Sequence, residues 1–332
     1  ILLPMIVLFF EDNMNNSSLL IHKKILFICD PLDSFKIKTD TTYFLMLTAS
    51  ELNYSIFYCY PQDIYADNEI IKANVIKIQI TKKSQINWYE EQSKNILHHL
   101  DYFNAVFVRN DPPFNMEYYY LTQLLTLAEE QGVKVLNNSN SLRNFNEKLS
   151  ILNFPQLITP TTITKNKNVI IEFLNKHEEC VIKPLDEMAG RSVFKISIND
   201  FNKNTIIETI TNYFTKTIML QKFIPEVKHG DKRIFIVNGQ VIDMCLLRIP
   251  PKMQIRSNIA LGGTGEVQKI SKEDFNLSNT VAQWLIKKNI VFAGLDVIGN
   301  YLNEINITSP TGTQQIFENS GINIPKLLLE NI

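Results

Sequence analysis

The chain has 332 residues, and 33 Lys+Arg against 34 Asp+Glu leave a formal charge of −1. At about 150 residues per domain it should hold two or three domains, and its 45% hydrophobic content is enough for sizeable cores. The charge balance argues against a dedicated nucleic-acid binder, which carries a basic excess; the 11 Gly and 13 Pro argue against a collagen-like or linker-rich chain, and no apolar run reaches the ~18 residues of a membrane-spanning helix.

Residues 1–10, ILLPMIVLFF, are apolar but too short to span a bilayer, and they lack the positive region and small-residue cleavage site of a signal peptide. Residues 1–23 are expected to lie outside the fold. Residues 24–29, KILFIC, read as a buried strand ending at Asp30-Pro31. Residues 39–52 have helical spacing with Thr39 or Asp40 as N-cap. Residues 55–60 alternate as a strand and stop at Pro61. A polar amphipathic helix is expected over 84–100, carrying His98 and His99 into solvent. Residues 105–108 form a strand, 116–131 a helix closed by Gly132, and 133–136 a further strand. Strands alternating with helices predict a doubly wound parallel sheet over residues 24–143. The turn after the first strand, CDPLDSF, has no glycine, so it is not a dinucleotide fingerprint, and no P-loop motif occurs.

From about residue 144 the pattern becomes α+β and largely antiparallel. Strands are expected at 181–184, 193–198 and 218–224, with a helix over 200–214. Asn238-Gly239 between two apolar runs predicts a hairpin with a two-residue turn. A second hairpin is expected from 291–298 and 302–307. Cys29, Cys59, Cys180 and Cys245 stand alone in apolar segments, which suits buried, reduced thiols and a cytoplasmic compartment. Neither they nor the five histidines have metal-site spacing, so zinc chemistry and a Cys–His nucleophile have no support.

The first hairpin's turn predicts that Val237 faces Gln240, Arg233 faces Met244 and Asp231 faces Leu246. Asp231, Arg233 and Arg248 then share one face, which suits a phosphate or carboxylate ligand; a solvated edge with a surface salt bridge would show the same spacing. In the second hairpin Glu304 and Asn306 share a face. A three-residue loop, Gly299-Asn300-Tyr301, would set Asp296 opposite Glu304, whereas a two-residue turn would set it opposite Asn303. Two opposed carboxylates and an amide oxygen favour a divalent cation, Mg²⁺ over zinc. Residues 250–266, PPKMQIRSNIALGGTGE, read as a glycine-bearing loop whose amides could approach an anion, or as a plain surface loop.

The order and spacing of KIKTD, VRNDPPF, LRNFNEKL, IKPLDEMAG, GDKRIFIVNG, LRIP, RSNIALGGTGE, FAGLDVIG and NEINITSPT resemble the bacterial glutathione synthetases, ATP-grasp ligases, over residues 24–332. The resemblance implies an ATP-grasp domain over 144–332 behind a Rossmann-like parallel-sheet N-terminal domain, with a lid part near 155–225 and a catalytic part near 226–332. It implies ligation of glycine to γ-glutamylcysteine through an acyl phosphate, giving glutathione, ADP and phosphate, with two Mg²⁺ (or Mn²⁺) ions and a homotetramer. By motif, Lys148, Lys183 and Gly190 would contact ATP phosphates, Gln221, Lys222, Phe223 and Ile224 would form the adenine hinge, and Asp231 would meet the ribose. Asp296, Glu304 and Asn306 would hold the metal. Arg233, Arg248, Asn258 and Gly263 would stabilise the acyl phosphate and tetrahedral intermediate, and Arg256 would lie in a lid that excludes water. Arg109 and Asp111, with Ser309, Pro310 and Thr311, would border the peptide.

Two departures stand out. The family's D-G-M-G-G phosphate loop reads Asp186-Glu187-Met188-Ala189-Gly190 here, which adds a carboxylate near ATP. The glycine pair usual before the lid arginine is replaced by Lys252-Met253-Gln254. A nucleotide-binding ATP-grasp protein without ligase activity would also fit the altered loop, and a ligase for another amino acid or dipeptide, as in the D-alanine–D-alanine ligases, would share the fold.

Overall fold

The computed structural model describes residues 22–81, 87–110, 113–187, 190–252, 254, 256 and 262–332. The first unit runs β1 (Lys24–Ile28), α1 (Thr41–Glu51), β2 (Ser55–Cys59), β3 (Ile64–Asp67), β4 (Ile70–Ile80), β5 (Tyr89–Glu91), β6 (Ile96–His99), β7 (Ala105–Val108), α2 (Met116–Glu130), β8 (Val135–Leu136) and α3 (Ser139–Asn144). Its sheet has the order β3-β4-β2-β1-β7-β8, with β5 and β6 also paired to β4. The β2-β1-β7-β8 stretch is parallel, as the alternation of strands and helices predicts. Asp40 caps α1, its carboxylate accepting from Thr42 N at 2.7 Å and Tyr43 N at 3.0 Å.

The expected helix over 84–100 is a correction. In its described part the segment forms β5 and β6, both antiparallel to β4. The alternating run IIKANVIKIQI of β4 offers a long edge, and pairing with it overrides local helical spacing. His98 therefore sits on a strand and stacks on Tyr102, ring centroids 3.9 Å apart.

The second unit contains β9 (Thr161–Thr164), α4 (Lys167–His177), β10 (Glu179–Pro184), β11 (Phe194–Ser197), α5 (Lys203–Ile210) and β12 (Ile218–Lys222), with the antiparallel order β11-β10-β12-β9. Helix α5 is shorter than expected because Asn212, Tyr213 and Phe214 take positive φ angles of 44°, 53° and 65°. The third unit adds β13 (Asp231–Val237), β14 (Gln240–Ile249), β15 (Thr264–Lys269), α6 (Lys272–Lys287), β16 (Phe292–Ile298), β17 (Tyr301–Asn306), α7 (Thr313–Ser320) and α8 (Ile324–Leu329). Its sheet order is β15-β14-β13-β16-β17, antiparallel throughout.

The first and third units share their apolar interior. One cluster joins Leu26, Val106 and Leu125 to Ile234, Leu295 and Ile305; another joins Phe27 and Phe107 to Phe235, Phe292 and Ile316. The second unit has a core of its own, formed by Ile170, Leu174, Cys180, Ile182, Ile196, Ile218 and Leu220 among others. All four cysteines are free and buried. Among the described residues no helix is long and apolar enough to cross a membrane.

Candidate active site

The cleft between the four-stranded and five-stranded sheets holds a cavity open to solvent, with about 800 Å³ of empty space counting its mouth. Lys183, Gln221 and Lys222 line it from β10 and β12, and Asp231, Asp296 and Glu304 from β13, β16 and β17. Lys148, Gly190, Phe223, Ile224 and Arg256 complete the expected members that reach it. Glu147, Asn303 and the apolar Val181, Val193, Val227 and Ile298 also line it, and the sequence reading missed them. Val181 could have been suspected, since it lies two residues from Lys183 on the same strand; Asn303 opens the motif NEINITSPT, but regular spacing does not aim its side chain into the site.

Local geometry explains the convergence. In the first hairpin Val237 pairs with Gln240 as expected, but a register shift between Ile234 and Ile236 sets Arg233 opposite Leu246 and Asp231 opposite Arg248. The shift amounts to two residues, so side-chain parity survives and Asp231, Arg233 and Arg248 still share a face. In the second hairpin Ile298 pairs with Tyr301 and Val297 with Leu302, so the turn is the two-residue Gly299-Asn300. A bulge between Asp296 and Val297 then sets Asp296 opposite Glu304. The expected pairing holds; the expected three-residue loop does not, because Asn303 supplies the extra residue within the strand.

Asp296 is buried at the centre of a charge network. Arg233 grips it with two bonds, Nε to Oδ1 at 2.6 Å and Nη2 to Oδ2 at 3.1 Å. Arg248 Nη2 lies 2.9 Å from Asp296 Oδ2 and also bonds Asp231, to which Arg248 Nε donates at 2.8 Å. Asn306 Nδ2 donates to Asp296 Oδ2 at 3.3 Å. Burial alone would push the Asp296 carboxyl up, but the two guanidinium groups win and hold it at about 2. The same carboxylates hold the Arg248 guanidinium in its charged form against burial.

The lysines are set differently. Lys148 bonds the Glu147 carboxylate and donates to the main-chain oxygen of Glu187 at 2.7 Å. Burial opposes its charge, yet Glu304 and Glu147 together raise its pKa. Lys183 donates to Asn303 Oδ1 at 2.9 Å, with Glu304 Oε1 at 3.8 Å. Burial is the larger influence there and lowers its pKa. The Glu147 carboxyl is pushed up by burial and by repulsion from Glu304, against the pull of Lys148. Gln221 donates to Thr161 Oγ1 at 3.2 Å, and its buried Oε1 has no hydrogen-bond partner among the described residues.

Other expected members are not among the described walls of this cavity. The buried Arg109 donates from Nε to Thr42 Oγ1 at 3.1 Å, from Nη1 to Thr308 O at 3.1 Å and from Nη2 to Pro310 O at 3.4 Å. It therefore ties the end of β7 to the segment holding Ser309 and Pro310. Arg233 Nη1 donates to Thr311 O at 3.2 Å. Gly263 directly precedes β15. Asp111 and Asn258 lie outside the described residues, as do Met188 and Ala189. A second cavity of about 500 Å³ adjoins the first and shares Glu147 and Glu187 with it; Tyr118, Asn146 and Thr308 are among its walls.

An all-oxygen donor set, Asp296 and Glu304 opposed with Asn306 beside them, suits a hard divalent cation. Among the described residues no group of three or more His, Cys, Asp or Glu side chains could hold a metal ion, so a cation here would draw on two carboxylates with the Asn306 amide, water or phosphate oxygens beside them.

The family model described as the prokaryotic glutathione synthetase ATP-grasp domain matches residues 147–321, and the model for the N-terminal domain of the same family matches residues 24–143. The chain is 40% identical over 312 residues to a glutathione synthetase of Neisseria meningitidis serogroup A, covering 93% of this chain and 98% of the relative. It is 41% identical over 309 residues to a glutathione synthetase of Nitrosomonas europaea, covering 92% and 96%. Among solved structures it is similar in fold to the ATP-grasp ligase PsnB complexed with a minimal precursor, with a TM-score of 0.60, 12% identity and 93% and 98% coverage. D-cycloserine synthetase DcsG is similar in the same way, with a TM-score of 0.61, 13% identity and 92% and 99% coverage.

Proposed function

This chain belongs to the prokaryotic glutathione synthetase family, with both of that family's domains, and from that premise we propose how its residues divide the work of an ATP-dependent carboxylate–amine ligase. The substrates are γ-glutamylcysteine, glycine and ATP. The cysteinyl carboxylate oxygen attacks the γ-phosphorus of ATP and ADP leaves. The glycine amine then attacks the acyl carbon, the amine loses a proton, and phosphate leaves with the former carboxylate oxygen. Neither step needs a nucleophilic side chain; both need charge compensation and alignment.

Lys148 and Lys183, joined by the main chain at Gly190, compensate the phosphate charge. The adenine lies against Gln221, Lys222, Phe223 and Ile224. The unpartnered Gln221 Oε1 and the apolar Val181, Val193, Val227 and Ile298 support that choice, since a purine presents both a flat apolar face and hydrogen-bonding edges. Asp231 borders the ribose. Asp296, Glu304 and Asn306 would hold two Mg²⁺ ions, with Mn²⁺ as a substitute. When bound, such ions neutralise charge on the phosphate oxygens. Arg233 and Arg248 orient Asp296 and, with Asn258 and Gly263, steady the charge that develops on the acyl phosphate and tetrahedral carbon. Arg256 closes over the nucleotide and excludes water. Arg109, Asp111 and the turn at Ser309, Pro310 and Thr311 border the peptide, for which the second cavity gives room beside the phosphates.

The observation that carries this reading is the joint lining of one cavity by two buried lysines, Lys183 on β10 and Lys148 beside β17, and by Asp231, Asp296 and Glu304 of the five-stranded sheet. The test is ADP release with ATP and Mg²⁺ while γ-glutamylcysteine and glycine are each left out in turn. Turnover that needs both supports the reading. ADP release indifferent to glycine, with no tripeptide formed, would overturn it.

A further inference from the structure

Lys183 stands on β10 of the four-stranded sheet and Asn303 on β17 of the five-stranded sheet, so a contact between them crosses the cleft. The contact is a hydrogen bond of 2.9 Å from Lys183 Nζ to Asn303 Oδ1. The Glu304 carboxylate, one residue further along β17, stays 3.8 Å from the same nitrogen, beyond hydrogen-bond length. Lys183 is only 4% exposed, so water does little to fix its ammonium. Asn303 is also the residue that changes the register of β17 against β16. A bulge re-aims side chains, and this one sends an amide oxygen into the cavity while Leu302 stays in the core and Glu304 faces Asp296.

We propose that Asn303 is the positioning residue for Lys183, its bulged amide oxygen holding the ammonium where the nucleotide phosphates lie. The inference rests on the assignment of Lys183 to ATP phosphates. The chemistry favours an amide for this task. A lysine ammonium has three donors on a stem with four rotatable bonds. One bond to Asn303 fixes its direction and leaves two donors for phosphate oxygens. A carboxylate at the same point would fix it equally well but would repel the polyphosphate. The neutral acceptor orients the cation and leaves its charge intact.

The test is a double-mutant cycle on affinity for the non-hydrolysable analogue AMP-PNP with Mg²⁺, using Lys183→Met, Asn303→Leu and the double variant in the full chain. Asn303→Leu should weaken binding about tenfold when Lys183 is present, the scale of a hydrogen bond to a charged group. It should change binding less than twofold in the Lys183→Met background. An undiminished affinity in Asn303→Leu, with Lys183→Met impaired, overturns the inference and leaves the phosphate role of Lys183 standing. Equal losses in both backgrounds mean that the bulge matters only for strand geometry, which also overturns it. An unimpaired Lys183→Met removes the phosphate role itself. If Asn303→Leu fails to fold by its thermal transition, Asn303→Ser takes its place, since it removes the amide oxygen without adding apolar bulk.

Discussion

Asp296 and Glu304 face one another across β16 and β17 although a regular two-residue hairpin would set Asp296 opposite Asn303. Arg233 and Arg248 offset the Asp296 charge, and the two opposed carboxylates offer oxygen ligands to a divalent cation. Replacing Glu304 by Gln removes one ligand charge while keeping size and shape. We expect the fold and nucleotide binding to persist and turnover to fall at least about 10²-fold. Steady-state ADP release checks this, and near-normal turnover would remove Glu304 from the metal set.

The Asn137 side chain joins the first unit to the start of β16 and to the residue that follows β17. Its Nδ2 donates to the main-chain oxygens of Phe292 and Ile307, and its Oδ1 accepts from Val291 N at 2.9 Å and Phe292 N at 3.0 Å. Asn137→Ala leaves four main-chain groups without their partner. With ~1 kcal/mol or more for each such loss, and incomplete additivity, the variant should lose about 3 kcal/mol of stability. The shift of the urea midpoint measures it.

Gly294 lies against Arg233. A Cβ there would stand 2.8 Å from Arg233 Cδ and 2.9 Å from Pro310 Cβ. Neither neighbour can retreat easily, because Arg233 is held by Asp296 and Thr311 O. Gly294→Ala should therefore displace the guanidinium, with about 1–3 kcal/mol of destabilisation from overpacking and at least about a tenfold fall in kcat. A variant with unchanged kcat and melting temperature would show that the strand yields without cost.

Acid should reveal the Asp296 network. Its carboxyl is held near 2 in the fold against ~3.9 in an unfolded chain, so the folded state favours the ionised form. That contribution to stability is present above pH ~4 and is lost as pH falls from there through about 2. It amounts to about 2–3 kcal/mol. The stability gap between the native protein and Asp296→Asn should narrow over that window, in nucleotide-free and metal-free buffer. A gap that stays constant from pH 5 to 2 would mean that the arginines do not favour the carboxylate.

What could be read from the residues depended on parity more than on pairing. The partners predicted for Arg233 and Asp231 are displaced by two positions, yet the shared face of Asp231, Arg233 and Arg248 survives because an even shift keeps parity. The Asp296–Glu304 pairing needed an odd shift, and Asn303 provides it inside the strand, not at the turn. A clue was present: Leu302 and Glu304 are two apart and would share a face in a regular strand, yet one belongs in the core and the other in the site. The segment over 84–100 failed for another reason, since its strands exist only against β4, a partner distant enough in sequence that local spacing does not register it. Glu147 escaped notice because its neighbour Lys148 carries the recognisable motif, while its own importance comes from the packing that brings it near Glu304.

The separate interior of the four-stranded unit bears on how the cleft can open. That unit keeps most of its apolar contacts to itself, and the contacts resolved across the cavity include polar ones such as Lys183 with Asn303 and Lys148 with Glu187. Swinging it outward would wet these ammonium groups and amides, together with Met219 of β12, whose buried side chain joins the interior of the other two units. The heat capacity of the enzyme should then change little between its nucleotide-free and nucleotide-bound forms apart from the ligand's own burial, and ionic strength, more than temperature, should govern how wide the entrance stands.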